Sequence, residues 1–547
     1  VAADRAQALQ AIRAANPPLK DRQHRQLFQD RNKGKPSLTL IKTRRILSFA
    51  IFILFVLLFA GAEKMSAVLS GILPPLQFVP ALLRTLTRPD VVFLAGLAFI
   101  LLITMLFGRV YCSFLCPLGT LQDLLMAGSK RLGLRPAPSY AKPLNVLRYG
   151  LLALTAATAL FGSLSLVILL DPYSLTGRML THFLQPLAAH AYNLFILVLK
   201  PFDLYLHPKQ TTFIPLAVGA TTGGFVLLVS ILALRHGRLY CNTVCPVGTL
   251  LGLLSRASVF HFALHPKTCL ACRRCESACK AACIDPQNAA VDMSRCVGCF
   301  NCLDACSSGV IRYQKRQRQP KTSRWSPSRR RLILAGIAAA SGFWALNANL
   351  RECFSARDAG ANPAVTPPGS ISAQRFSQAC TACSLCVSAC PTRVLTPTLT
   401  AFGLSGPLQP KMNYEKSYCD YECDVCGRVC PTGAILPIGL AEKKLTQIGE
   451  AELLKDICVV YVDDRNCGAC GEVCPTHAIR FTEKETILYP EIDRQYCIGC
   501  GACQLACPTT PRSIVVHARP EHKKAQKYIH PETSGESRTS SDQDFPF

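Results

Sequence analysis

The sequence is poor in methionine (6), tryptophan (2) and acidic residues, with 34 Asp and Glu against 60 Lys and Arg in 547 positions. It has no CxxCH pair for covalent haem, no Gly-rich nucleotide loop and no flavin fingerprint, so no substrate-converting constellation of these kinds is present. The acidic deficit leaves a net charge of +26, which could suit nucleic acid. The basic residues flank apolar segments, however, and the orientation rule for membrane proteins accounts for them there, so no nucleic-acid partner is expected. The first forty-odd residues are basic and polar and lack a secretory-signal pattern. A chain opening at Val1 instead of Met is expected to have lost a few residues.

What the chain has in quantity is cysteine, 30 residues, and apolar runs, with a mean hydropathy of +0.24. A secreted disulfide scaffold would be short and free of such runs. Five segments approach the roughly 20 residues that cross a bilayer: Ile46–Ala62, Val91–Gly108, Gly150–Leu170, Phe213–Leu234 and Leu332–Leu350. Lys and Arg cluster before the first (Arg22 to Arg45), after the second (Lys130, Arg131, Arg135, Lys142) and before the fifth (Lys315 to Arg331). This places those stretches and the N-terminus inside, and everything beyond about residue 351 outside. The first four spans form an internal repeat in which each half contains a Pro-interrupted apolar piece, Ala67–Leu86 or Phe183–Leu199. These pieces are expected to lie in the interface or to re-enter.

The expected organisation is a basic cytoplasmic tail (1–45), a four-span membrane helical domain (46–262) and a ferredoxin-like α+β module (263–313). A basic linker with an anchor helix (314–350), a linker (351–370), an α+β polyferredoxin (371–520) and a disordered tail (521–547) follow.

The decisive pattern is C-x2-C-x2-C-x3-C. Three close thiolates hold one cubane corner, and the fourth cysteine reaches the other cluster of a two-cluster unit. Zinc sites instead pair two short hooks across a longer gap. In 263–313, Cys269, Cys272, Cys275 and Cys306 would hold one [4Fe–4S] cluster, and Cys296, Cys299, Cys302 and Cys279 a second. Cys283 competes with Cys279, and Lys280 and Ser307 stand where proline usually follows the fourth cysteine. In 371–520 the motifs are Cys380, Cys383, Cys386, Cys390; Cys419, Cys423, Cys426, Cys430; Cys458, Cys467, Cys470, Cys474; and Cys497, Cys500, Cys503, Cys507. A buried free thiol is the plainer alternative for Cys458. Nesting suggests that the outermost two motifs pair with each other and the inner two likewise. Six quartets therefore predict six [4Fe–4S] clusters, while Cys283 and Cys353 stay unassigned.

Both repeat halves end in G-R-x-Y-C-x3-C-P-x-G-T-L, at Gly108–Leu121 and Gly237–Leu250. Cys112, Cys116, Cys241 and Cys245 could converge by pseudo-symmetry into a seventh iron–sulfur centre. The alternative is a structural turn with reduced thiols. Asp171, with Tyr173, His182 and His190 nearby, is the candidate proton acceptor for quinol, since ionisable residues at membrane depth are functional candidates; a turn cap is the alternative. By this topology Asp171 lies outside and the CxxxCP thiols inside, and no single short path joins them.

With these motifs assembled, the chain resembles two quinol dehydrogenase iron–sulfur proteins of periplasmic nitrate reduction fused in order. Residues 46–313 are NapH-like, and 328–515 are NapG-like, including the C-x8-C-x2-C-x3-C of Cys458 to Cys474. Relatives of the NosR, MauN and MauM kind serve other periplasmic systems. The resemblance implies an inner-membrane protein that passes electrons from the quinone pool to a periplasmic reductase or cytochrome, with further membrane subunits as candidate partners. A conduit from cytoplasmic ferredoxin, or a maturation role for a periplasmic metalloenzyme, stays open. Ser328 to Ile333 matches a twin-arginine export signal at Arg329 and Arg330, with a positive-inside anchor as the alternative.

Overall fold

The computed structural model describes residues 36–528, apart from 317–363 and short stretches at 62, 132, 134–138, 201–202, 204–205, 265–268, 270–271, 286–287, 289, 307–308 and 485. The basic tail before Pro36, the twin-arginine-like segment, the fifth span, Cys353 and the last residues of the chain lie outside the described residues.

A helical domain comes first. Its main elements are α1 (Pro36–Leu58), α2 (Val91–Phe107), α3 (Pro117–Arg131), α4 (Asn145–Leu160), α5 (Pro172–Leu199), α6 (Leu216–His236) and α7 (Pro246–Ser255). Among the described residues, α5 (28 residues) and α6 (21 residues) are long and apolar enough to cross a membrane. The pair Lys64–Leu76 and Phe78–Thr87 adds a third candidate if its 96° bend lies within one span. The apolar helices α2 and α4 are shorter, at 17 and 16 residues. Apolar side chains stand exposed on the outer faces of these helices, with Val91 on α2 82%, Val146 on α4 91% and Leu216 on α6 89% exposed, which a water-facing helix would avoid.

Two expectations change. The run Gly150–Leu170 is not one helix: α4 stops at Leu160, Gly162 turns the chain at φ +84°, and a short helix, Ser165–Leu170, leads to Asp171. Phe183–Leu199 is not a separate interfacial piece but the second half of α5. Pro186 lacks the N–H that would bond back to the preceding turn, and a π-helical turn at Leu180–Leu184 absorbs the mismatch, so the helix continues through it.

The two halves each send a loop into the bundle and back. In the first half, Gly61 sits beside Ser388, the chain turns at Gln77, and Thr87 bonds to the Thr432 carbonyl. In the second, Gly162 sits beside Gln378, the chain turns at Asp171, and Gln185 reaches the Ser388 carbonyl. The ends of both loops therefore touch the C-terminal module, while their tips lie deep in the helices.

The first module is closed by antiparallel strands β1 (Phe260–Leu264) and β2 (Ile311–Lys315), so it starts three residues earlier than expected. It packs on the ends of α2, α4 and α7. The second module begins by residue 364, where Met412 N–H bonds to the Val365 carbonyl, and contains the antiparallel pair β3 (Thr446–Leu453) and β4 (Ile514–Lys524). Residues 521–524, expected in the tail, belong to β4 because Lys523 and Lys524 pair with Gln447 and Thr446.

Lys280, which departs from the ferredoxin pattern, has a structural task. Its ammonium lies 2.8 Å from Asp123 on α3, which also holds Arg238 at 2.7 Å and Arg44 at 2.9 Å. One carboxylate thus bridges three cations, two of them fully buried, and pins the first module to the helices. Asp123→Asn should leave those charges uncompensated and cost about 3–5 kcal/mol. A large fall in the thermal unfolding midpoint in detergent is expected, with Lys280→Met causing a smaller one.

Candidate metal centres

The two CxxxCP motifs meet. Cys112, Cys116, Cys241 and Cys245 are all buried and within electrostatic range of one another. The repeated residues around them explain the geometry. Arg109 of the first motif donates to the Cys241 carbonyl of the second at 2.9 Å, and Arg238 of the second donates to the Cys112 carbonyl of the first at 2.9 Å. Each motif's arginine therefore holds the other motif's cysteine loop. The glycine of C-P-x-G-T permits this: a Cβ on Gly119 would lie 2.3 Å from the Cys112 carbonyl, and one on Gly248 2.2 Å from that of Cys241. Tyr111 donates to Gln77 at 2.9 Å and Tyr240 to the Leu170 carbonyl at 2.9 Å, tying the thiols to the two loop tips.

This site also touches both modules. Ser113, after Cys112, donates to the Val297 carbonyl (2.6 Å), and Asn242, after Cys241, to that of Ala281 (3.1 Å). Val297 and Ala281 neighbour Cys296 and Cys279. On the opposite side, one stretch of α5 joins two cores: Leu175 packs with the CxxxCP thiols, and Tyr173 with Cys380, Cys383 and Cys386. Tyr173 stands edge-on to Phe55 with centroids 5.9 Å apart. Gly177 admits the Cys383 carbonyl where a Cβ would meet it at 2.4 Å.

The remaining thiols fall into six quartets. In the first module, Cys275 groups with Cys306, Cys269 and Cys272, and a small cavity is lined by Cys279, Cys296, Cys299 and Cys302. Cys283 faces the same cavity, its Sγ 3.6 Å from that of Cys279, so the sequence's competitor for this position is indeed adjacent. In the second module, Cys430 joins Cys380, Cys383 and Cys386, and Cys390 joins Cys419, Cys423 and Cys426. Cys474 lines a cavity with Cys497, Cys500 and Cys503, and Cys507 one with Cys458, Cys467 and Cys470. Nested pairing is therefore replaced by pairing of motifs adjacent in sequence. The loops between them are short enough to close a two-cluster unit locally, and β3 with β4 closes the last one. The Cys419 N–H bonds to the Cys500 carbonyl at 2.9 Å, linking the two units.

Several features fit cubanes. Among the described residues no three Cys, His, Asp or Glu side chains close on a single ion. A tetrahedral zinc with bonds of about 2.3 Å would draw its sulfurs to about 4 Å from one another, whereas in a cubane each thiolate holds a different iron. Burial pushes the Cys470 and Cys500 thiols up to about 11 and Cys419 up to about 12, so these cages favour neutral thiols until iron displaces the protons. At the CxxxCP site, Arg109 is fully buried and meets carbonyls, Asn242 and the Cys112 sulfur at 3.8 Å, with no carboxylate bonded to it. An anionic thiolate cluster on these four cysteines would match that buried cation.

Asp171 and His182, the candidate quinol-site residues, are both held by hydrogen bonds within the protein, and for Asp171 these are the contacts of a turn cap. The Asp171 carboxylate caps α5, accepting from the Ser174 amide (2.8 Å) and hydroxyl (2.7 Å). His182 bridges Thr222 and Ser384, at 3.1 and 3.2 Å. Arg109 and Arg238 went unnoticed as site residues, and the repeated G-R before each motif was the available signal; Arg178, fully buried and donating to the Ile168 carbonyl at 2.8 Å and to that of Ala382, beside Cys383, at 3.4 Å, is marked by no motif.

Pair-specific ligation has a direct check. Cys474→Ser should remove the signal of the cluster on Cys497, Cys500 and Cys503 and spare the one on Cys458, Cys467 and Cys470. If the CxxxCP site holds a cubane beside the six regular quartets, the chain would carry about 28 iron, and Cys241→Ser should lower this to about 24. Iron analysis with low-temperature EPR reads both.

A family model described as a 4Fe-4S binding domain matches twice, at residues 89–135 and 219–265, over the two CxxxCP halves. A 4Fe-4S dicluster domain matches at 379–434 and 465–510, in line with pairing of adjacent motifs. The methylamine utilization ferredoxin-type protein MauM of Methylorubrum extorquens is 31% identical over 202 residues, 36% of this chain and 90% of that protein. The ferredoxin-type protein NapG of Escherichia coli K12 is 29% identical over 207 residues, 34% of this chain and 84% of its own. The putative electron transport protein YccM of the same organism is 27% identical over 184 residues, 33% of this chain and 43% of its own. No solved structure matches. Cysteine quartets, matching domains and relatives agree that this chain belongs to the ferredoxin-type iron–sulfur proteins of the MauM and NapG kind.

Proposed function

We propose that the chain conducts electrons across a bacterial inner membrane, drawing them from quinol and delivering them to a periplasmic oxidoreductase. The observation that carries this reading is the row of thiol quartets. It runs from the first module through the CxxxCP site to the second module, with the CxxxCP loops hydrogen-bonded to the first module and linked to the second through Leu175 and Tyr173 of α5. The six regular quartets would each hold a [4Fe–4S] cluster, and the CxxxCP site a seventh iron–sulfur centre. When bound, these groups supply one-electron transfer at potentials set by burial and hydrogen bonding. The protein's part is to space the thiols, exclude water and balance charge with Arg109, Arg178 and Arg238.

In this reading α1, α2, α4 and α6 make the four crossings of the repeat. The loops turning at Gln77 and Asp171 re-enter from the periplasmic side, and positive charge keeps the first module in the cytoplasm. The twin-arginine-like residues Arg329 and Arg330 would then export a second module already loaded with clusters. Asp171 and His182 act as positioning residues: they hold the start of α5 and Ser384 beside the first quartet of the second module.

One observation favours a second source of electrons. The terminal quartet of the first module is open to solvent at Cys272, where a cytoplasmic ferredoxin could dock. The two sources separate in sealed membranes prepared in both orientations. Quinol should reduce the second module's clusters in either orientation without added protein, with the resulting protons appearing on the periplasmic side. Reduction only when reduced ferredoxin meets the cytoplasmic face would reject quinol as donor.

A further inference from the structure

Where the helices meet the second module there is a cavity of about 550 Å³, within the range of small-molecule sites. Its floor is apolar, with Val56, Phe59, Leu180, Leu184 and Ala189, and its rim is the loop Pro208–Thr212. Polar groups converge at one wall. Gln185 donates to the Ser388 carbonyl at 3.3 Å, while its own Oε1 is buried without a hydrogen-bond partner among the described residues. Arg393 donates to the same carbonyl at 2.7 Å. Ser388 lies between Cys386 and Cys390, which belong to neighbouring quartets, and Pro391, next to Cys390, lines the cavity itself. Beside its mouth, α5 presents Leu187, 66% exposed, and further along Leu194, 64% exposed.

We propose that this cavity, and not the surroundings of Asp171, binds the headgroup of an isoprenoid quinol, with Gln185 and Arg393 as its polar contacts. The inference rests on the quinol reading above and deepens it by naming the site. The unpartnered Gln185 Oε1 accepts from one quinol hydroxyl. The Arg393 guanidinium donates to the opposite oxygen, and more strongly once that oxygen carries negative charge. The apolar floor takes the ring, and the lipid-facing side of α5 takes the tail. On oxidation the quinol loses two electrons and two protons to become the quinone. The two electrons would go one each to the clusters that the quartets flanking Ser388 would hold, Cys380, Cys383, Cys386 and Cys430 on one side and Cys390, Cys419, Cys423 and Cys426 on the other. The protons leave to water past Lys209 and Gln210 at the rim. Neither Asp171 nor His182 lines this cavity.

The test uses the full-length protein in membranes, with decyl-ubiquinol as reductant and a photoreactive azidoquinone as binding probe. Peptides containing Val56–Gly61 or Leu184–Ala189 should carry the label, and decyl-ubiquinone should compete it away. Gln185→Leu, and separately the cavity-filling Ala188→Phe, should lower labelling and quinol-driven cluster reduction at least tenfold. Dithionite-driven reduction and iron content should stay at wild-type levels, which shows that the variants fold. Labelling elsewhere, or full quinol-driven reduction in both variants, would overturn the site while leaving the quinol reading intact. A wild-type protein that decyl-ubiquinol does not reduce would overturn the reading and the site together.

Discussion

The crossed arginines at the centre of the helical domain are the constraint on which the rest depends. Arg109 and Arg238 are fully buried, each emerging from one half of the repeat and bonding to the cysteine loop of the other. A buried guanidinium is stable only where its charge and donors are matched. Arg238 finds Asp123; Arg109 finds carbonyls and a thiol. The two halves thus cannot slide or separate without exposing a charge to hydrocarbon, and the four cysteines are held together as a consequence. The first module docks through the same network, since Asp123 also binds Lys280.

The two loops inserted among the helices bring the two modules close to the CxxxCP site. Each tip is fastened to the tyrosine of its own motif, Gln77 to Tyr111 and Leu170 to Tyr240. Because the second loop turns back as α5, residues two apart along that helix face different cores: Tyr173 toward the second module, Leu175 toward the CxxxCP thiols. The second module consequently enters the helical domain instead of resting on its end, and Gly177 supplies the close approach. Asp171, which in a linear reading looks like a lone carboxylate at the outer end of a span, turns out to cap the helix on which this contact depends.

The pairing of quartets follows from chain length and local closure. A fourth cysteine four residues beyond its motif reaches the cluster of whichever motif folds against it, and a neighbour in sequence does so at lower entropic cost than a distant one. Cys430 and Cys390 exchange between the first two motifs, Cys474 and Cys507 between the last two. The displaced Cys458 is brought back to its motif by the helical turns around Lys455–Val462.

The cysteine spacings alone determined the cofactor class, the number of regular quartets and the presence of a repeat, because a cubane imposes local geometry that short-range sequence must satisfy. Apolar runs likewise revealed the helices of the membrane domain, though not where they break: the Gly162 turn and the π-turn before Pro186 depend on backbone details that hydropathy averages away. Only the tertiary structure decided which motifs pair, that the turn before Asp171 is fastened to Tyr240 of a CxxxCP motif through Leu170, and that Gln185 and Arg393 share a cavity. Those relations join residues up to about 210 positions apart, and although the repeated G-R and C-P-x-G-T mark some of the buried charges and close glycines, the sequence does not say which distant partner each one meets.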